Sequence, residues 1–224
     1  MTAVHPVWRN YLFDLDGTLI DSSPLHDRAY RMALGKYRAD LIPTFSYDAV
    51  KAKTTIEGLR SLGIMDSQQL AVLVADKQRH FRDAVARGQL SALDGAHELL
   101  GDLKRIGRRL FVVSSGSRGS VSAALGETGL ASYFEHVITA DDVALGKPAP
   151  DGYLFCVAQF GLSTSETVAI EDALVGIAAA RAACLAVIAV HDKSVAEHAD
   201  LFFPNFHAFR SCLSHNQVSD ATAP

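Results

Sequence analysis

Short apolar runs separated by stretches of helical pattern leave this chain few folds to choose from. Four runs have the make-up of buried strands, at residues 11–13, 110–113, 168–170 and 185–190. A weaker run occupies residues 136–139, and residues 201–203 read as an added edge. Helical patterns cover residues 96–106, 120–125, 152–160 and 173–183, between the later strands. Parallel strands need crossovers, and intervening helices supply them. The expected fold class is therefore α/β, with a doubly wound, Rossmann-like parallel sheet.

The texture changes over residues 22–88, where no strand-like run stands out and helix signals accumulate. Ser23-Pro24 reads as an N-cap followed by proline at the first helical position. Ser46 and Ser67 are further candidate caps, and an amphipathic pattern over residues 68–87 stops at Gly88. The division this predicts is an α/β core of residues 1–21 and 89–213, an all-helical insert of residues 22–88, and a polar, frayed tail at 214–224. The insert carries 11 Lys/Arg against 7 Asp/Glu, a net +4 that leaves −8 for the rest of the −4 chain. A basic insert over an acidic core suits an anionic substrate, and a solvated helical surface accounts for it equally well.

Bulk properties exclude several classes. The mild net charge of −4 gives no reason to expect nucleic acid as a partner. Cys156, Cys184 and Cys212 are odd in number and too widely spaced for a chelating knuckle, so reduced, buried thiols are expected. Residues 1–10 lack an apolar core of signal-peptide length, and the longest apolar run, at 182–190, is too short for a membrane span. A soluble cytoplasmic protein, monomeric or weakly dimeric and without membrane contact, is the expectation.

The chemistry gathers where strands end. Asp14-Leu15-Asp16-Gly17-Thr18 follows the first strand directly. Carboxyl ends of parallel strands are where ligands bind, and two acids there can share a hard cation, or attack and transfer a proton. A plain Asp-Gly turn is the alternative. An EF-hand is excluded, because Leu19 and Leu25 stand where that loop needs Gly and Glu. Ser114 and Ser115 end the second main run, offering hydroxyls and free N–H groups for an anion, or merely an N-cap. Lys147 lies in Gly146-Lys147-Pro148-Ala149-Pro150, whose prolines stiffen the loop that aims it. Glu171-Asp172 repeats the acidic strand end. Each has an ordinary reading alone, as surface lysine or loop acids. Together they are the equipment of phosphoryl transfer: oxygen ligands for Mg²⁺, with hydroxyls and a lysine for phosphoryl oxygens.

With all four motifs in order, the chain resembles the haloacid dehalogenase (HAD) superfamily, in its phosphatase and phosphomutase branch. The resemblance spans residues 11–203, and Asp21-Ser22-Ser23-Pro24-Leu25-His26 is similar to the hinge and first cap helix of β-phosphoglucomutase-like members. It implies that Asp14 is a nucleophile forming an aspartyl-phosphate. Asp16 protonates the leaving oxygen, later deprotonates water, and lends its backbone carbonyl to Mg²⁺. Thr18 orients the loop, Ser114, Ser115 and Lys147 hold phosphoryl oxygens, and Lys147 pairs with Asp14. Asp14 and Asp172 complete the metal site, with Glu171 acting through water or from behind. Such a general acid needs a raised pKa, which a closed cap supplies by desolvation. Asp16 also weighs against dehalogenation, which needs no proton for the leaving group.

The helical insert takes the place of that family's cap. Of its residues, His26 is expected to reach the substrate or hinge, or to be a half-buried structural histidine. Lys53 and Thr54 face the site, and Thr55 falls where mutases carry an arginine. Lys77 could replace that charge, but reads more simply as a solvated lysine. The implied function is a Mg²⁺-dependent phosphatase of a small phosphorylated metabolite, a sugar or polyol phosphate. A phosphomutase is the alternative, and a non-catalytic binding protein the third reading.

Overall fold

A computed structural model describes residues 8–220, with side-chain surroundings for residues 8–214. The residues before Trp8 and after Asp220, where the sequence predicts no leader and a frayed end, lie outside the described residues. Six strands form one sheet: β1 (Asn10–Phe13), β2 (Arg109–Val113), β3 (His136–Ile138), β4 (Thr167–Glu171), β5 (Ala186–Val190) and β6 (Leu201–Phe203). Their order is β3-β2-β1-β4-β5-β6 and every pairing is parallel. The chain leaves β1 in one direction across the sheet and returns to its other side at β4. That switch point opens a crevice at the carboxyl ends.

The strands are apolar without alternation because both faces are covered. Tyr11, Phe13, Val112, Ile170 and Ile188 face one side, packed by α4 (Ala96–Arg105), α5 (Arg118–Glu127) and α8 (Phe206–Asp220). Leu12, Phe111, Val113, Ala169 and Val187 face the other, under α6 (Asp151–Gln159) and α7 (Leu174–Ala182). The last helix continues to Asp220, into the segment whose composition reads as a polar tail.

Between β1 and α4 the described chain is helical, with α1 (Ser23–Tyr37), α2 (Thr55–Ser61) and α3 (Ser67–Val85). Tyr30, Leu34, Phe45, Leu59, Leu70 and Leu73 make a separate apolar cluster there. Two cap assignments shift by one residue. Asp66 rather than Ser67 caps α3, its Oδ1 accepting from Gln69 N at 2.7 Å. Ser22 rather than Ser23 is the N-cap of α1, and its hydroxyl leaves the helix end to bond elsewhere. Ser46 precedes a short 3₁₀ turn with no side-chain cap. The thiols are all free, but only Cys156 is buried. Cys184 is exposed because it follows the last turn of α7 in a left-handed conformation, φ +58°, which turns it outward.

Among the described residues no helix is long and apolar enough to cross a membrane. Leu73 is fully buried in the helical segment's cluster. Leu73→Ala is expected to lower unfolding free energy by about 2–5 kcal/mol in urea titrations, since a cavity adds to the lost transfer energy.

Candidate active site

Phe13 pairs with both Val112 and Ile170, so Asp14 stands level with Val113 and Glu171, the last residues of β2 and β4, and Ser114 and Asp172 follow one residue on. The turn after β1 depends on Gly17, which has φ +90°. A Cβ there would lie 2.4 Å from Asp172 Oδ2, so only glycine lets the two motifs close on each other.

Four charged side chains are buried together at this point. Lys147 Nζ donates to Asp14 Oδ1 and to Glu171 Oε1, each at 2.6 Å. Tyr153 also donates its hydroxyl to Glu171 Oε1. Burial alone would depress the Lys147 pKa, yet Asp14 and Glu171 hold it above the usual lysine range. Burial raises the Asp14 pKa well above its ordinary value, Lys147 opposes that, and Glu171, Asp172 and Asp16 add to it. The loop carrying Lys147 passes closely under α2. A Cβ on Gly146 would meet Thr54 Cγ2 at 2.5 Å.

Asp14, Glu171 and Asp172 each offer an oxygen within 4.8 Å of the others. An all-carboxylate donor set is that of a hard cation, and Mg²⁺ fits its chemistry. Glu171 accepts two hydrogen bonds on Oε1, Asp172 accepts one on each oxygen, and Asp14 accepts one on Oδ1 from Lys147.

Asp16 sits in a different environment. Ser22 Oγ donates to its Oδ1 at 2.6 Å, which is where the unused cap hydroxyl of α1 goes. His26 Nε2 lies 3.0 Å from the same oxygen, and His26 Nδ1 lies 2.9 Å from Lys77 Nζ. An ammonium can only donate, so Nδ1 accepts and Nε2 carries the proton given to Asp16. His26 stacks on Phe81 with centroids 4.1 Å apart, and Lys77 lies 4.8 Å above the Tyr30 ring. Burial and Lys77 lower the His26 pKa, which keeps the ring neutral. The expected raised pKa of Asp16 is not found. Burial pushes it up, but His26, Ser22 and Lys77 outweigh that and bring it down to about 2.

Lys77 corrects the sequence reading of a solvated lysine: it is 5 % exposed. Its place was visible in the helical period, since Leu70, Leu73, Lys77, Phe81 and Ala84 form one inward stripe of α3. His26 is buried rather than half-buried and touches the acid directly. Thr54 spends its side chain on a capping box with Glu57, while Lys53 and Thr55 line the central cavity. That cavity also takes in Asp14, Asp16, Tyr47 and Ser115. Ser114 Oγ accepts from Gly116 N at 3.0 Å, and Ser115 Oγ donates to the Ala52 carbonyl at 3.0 Å. Thr18 is fully buried, its Oγ1 donating to Asp172 Oδ1 at 3.4 Å. Lys51, which no motif marks, reaches Asp172 Oδ2 at 2.9 Å.

Residues 8–183 match the haloacid dehalogenase-like hydrolase family. The chain belongs to that family. Fructose-1-phosphate phosphatase YqaB of Escherichia coli K12 is 36 % identical over 77 % of this chain and 90 % of its own length. Hexitol phosphatase A of the same organism is 34 % identical over 82 % of this chain and 83 % of its own. Among solved structures, CbbY of Rhodobacter sphaeroides in complex with phosphate superposes with a TM-score of 0.76 at 25 % identity, covering 89 % of this chain and 95 % of that one.

In this haloacid dehalogenase-like hydrolase, burial lowers the Lys77 pKa from 10.5 to about 8. Between these values the unfolded chain holds a proton that the folded chain has released, so stability from this site rises with pH. Guanidinium unfolding of wild type and Lys77→Met should show their free-energy difference moving in favour of wild type from pH 8 to pH 10, and flat below pH 7.

Proposed function

We propose that this chain is a Mg²⁺-dependent phosphatase acting on a small sugar or polyol phosphate through an aspartyl-phosphate on Asp14. The observation that carries this reading is that two acids from one turn line a single cavity with different partners. Asp14 is paired with a buried lysine. Asp16 is fed hydrogen bonds from Ser22 and His26.

Lys147 holds Oδ1 of Asp14, which directs the other oxygen toward phosphorus. Attack forms the Asp14–phosphorus bond and breaks the bond from phosphorus to the substrate oxygen. Asp16 supplies the proton for that oxygen, since an anionic substrate beside it raises its proton affinity. In the second half Asp16, restored to a carboxylate, takes a proton from water, and water oxygen displaces Asp14 and releases phosphate. His26 and Lys77 hold Asp16 in place and balance its charge through both steps. Ser114, Ser115 and Thr18 shape the loops around the phosphoryl group. The metal would be held by Asp14, Asp172 and the Asp16 carbonyl, with Glu171 supporting Lys147. When bound, Mg²⁺ neutralises charge on the phosphoryl oxygens.

The helical segment acts as a cap over the core, and specificity lies in its residues. Lys53, Thr55 and Tyr47 reach the cavity from it. The names of the two Escherichia coli relatives support a sugar or polyol substrate.

Phosphate release should be measured across sugar, polyol, nucleotide and glycolate phosphates, with Mg²⁺ and with chelator. Release is expected to concentrate on sugar and polyol phosphates and vanish with chelator. Asp14→Asn should lower kcat by at least about 10³-fold, and Asp16→Ala by about 10²–10⁴-fold. Turnover left intact in Asp14→Asn, or isomerisation of a sugar phosphate without release, would overturn the phosphatase reading.

A further inference from the structure

Lys51 ties the helical segment to the core at one of the carboxylates assigned above to the metal. Its Nζ lies 2.9 Å from Asp172 Oδ2, and its side chain is 33 % exposed against 7 % for Asp172. A second tie stands beside it, from Ser115 Oγ to the carbonyl of Ala52. Ala52 has φ +63°, unfavourable for a residue with a Cβ, so the loop is held in a shape it would not choose alone.

Both oxygens of Asp172 are engaged, Oδ1 by Thr18 and Oδ2 by Lys51. The carboxylate is also backed by Gly17, whose missing Cβ would sit 2.4 Å from Oδ2. It cannot retreat from its position. The flexible lysine stem can. A divalent cation on Asp172 and an ammonium on the same carboxylate repel each other and claim the same charge. Lys147 differs in that it bonds only Oδ1 of Asp14, whereas Thr18 and Lys51 between them engage both oxygens of Asp172.

We propose that Lys51 competes in cis with the divalent cation for Asp172, so that cation binding releases the strap between the helical segment and the core. The proposal rests on the metal reading given above. Coupling of this kind is reciprocal: whatever holds the strap shut weakens the cation, and the cation loosens the strap.

Isothermal titration of MgCl₂ into the full chain tests it, with wild type compared with Lys51→Met and Lys51→Gln. Both variants remove a partly exposed side chain, and thermal melts verify that they fold. They are expected to bind Mg²⁺ up to about fivefold more tightly, the scale of one partly exposed ion pair lost from the competing side. Lys53→Met removes a charge from the same loop, but its Nζ bonds to the Ala49 carbonyl rather than to an acid. It should shift Mg²⁺ affinity by less than about twofold, because exposed charges are screened. Hydrogen exchange over residues 50–54 should quicken on adding Mg²⁺ to wild type, and be fast with or without Mg²⁺ in Lys51→Met. Damage to the fold alone would not tighten cation binding. Equal or weaker affinity in both Lys51 variants, with wild type binding Mg²⁺, overturns the competition and leaves the metal reading standing. Binding in none of the proteins overturns both.

Discussion

Asp14, Glu171 and Asp172 meet at the ends of paired strands whose own side chains are apolar and buried on both faces. Desolvating three carboxylates together is costly unless positive charge arrives with them. Lys147 is the resident part of that charge, bonded to two of the three acids and itself 6 % exposed. The rest of the site follows from this need. The loop of Gly146 lies close under α2, Gly17 brings the β1 turn against Asp172, and Gly176 leaves room for the Glu171 carboxylate. Each of these glycines marks a place where backbone gives way to a charged group.

The acid Asp16 obeys a different rule, although it lies two residues from Asp14. It is stabilised by hydrogen bonds rather than by an ion pair, and these come from the chain that follows it. Ser22 and His26 lie at the start of α1, and Lys77 reaches them from α3. The proton affinity of Asp16 is thus set by the helical segment, while that of Asp14 is set by burial, by Lys147 and by the acids at the strand ends. A substrate entering between them meets two carboxylates whose environments are controlled by separate parts of the fold.

Much of this was legible in the residues. All six strand positions were visible because buried parallel strands are short apolar runs, and the acids that follow them stand out against that background. The charge of Lys77 suggests solvent, whereas its spacing from Leu73 and Phe81 points inward. Ser22 and Ser23 are equivalent caps by composition, because a helix start is ambiguous by one residue until the hydroxyl's partner is known. The lowered pKa of Asp16 could not be read at all. It depends on His26 and Lys77 converging from different helices, and sequence distance hides that convergence. Lys51 belongs to the same class, being separated from Asp172 by most of the chain.

The helices α1 and α3 do not belong wholly to the helical segment. Leu25 and Ala29 of α1, and Phe81, Ala84 and Val85 of α3, pack into the apolar cluster beneath the sheet, while Tyr30, Leu34, Leu70 and Leu73 pack into the upper one. His26 and Lys77 stand near the border between the two. Each rod is therefore shared between two apolar cores, and the groups that surround Asp16 sit where one core gives way to the other. The two helices carry the packing of both halves, so the carboxylate between them is held by whatever holds the halves together.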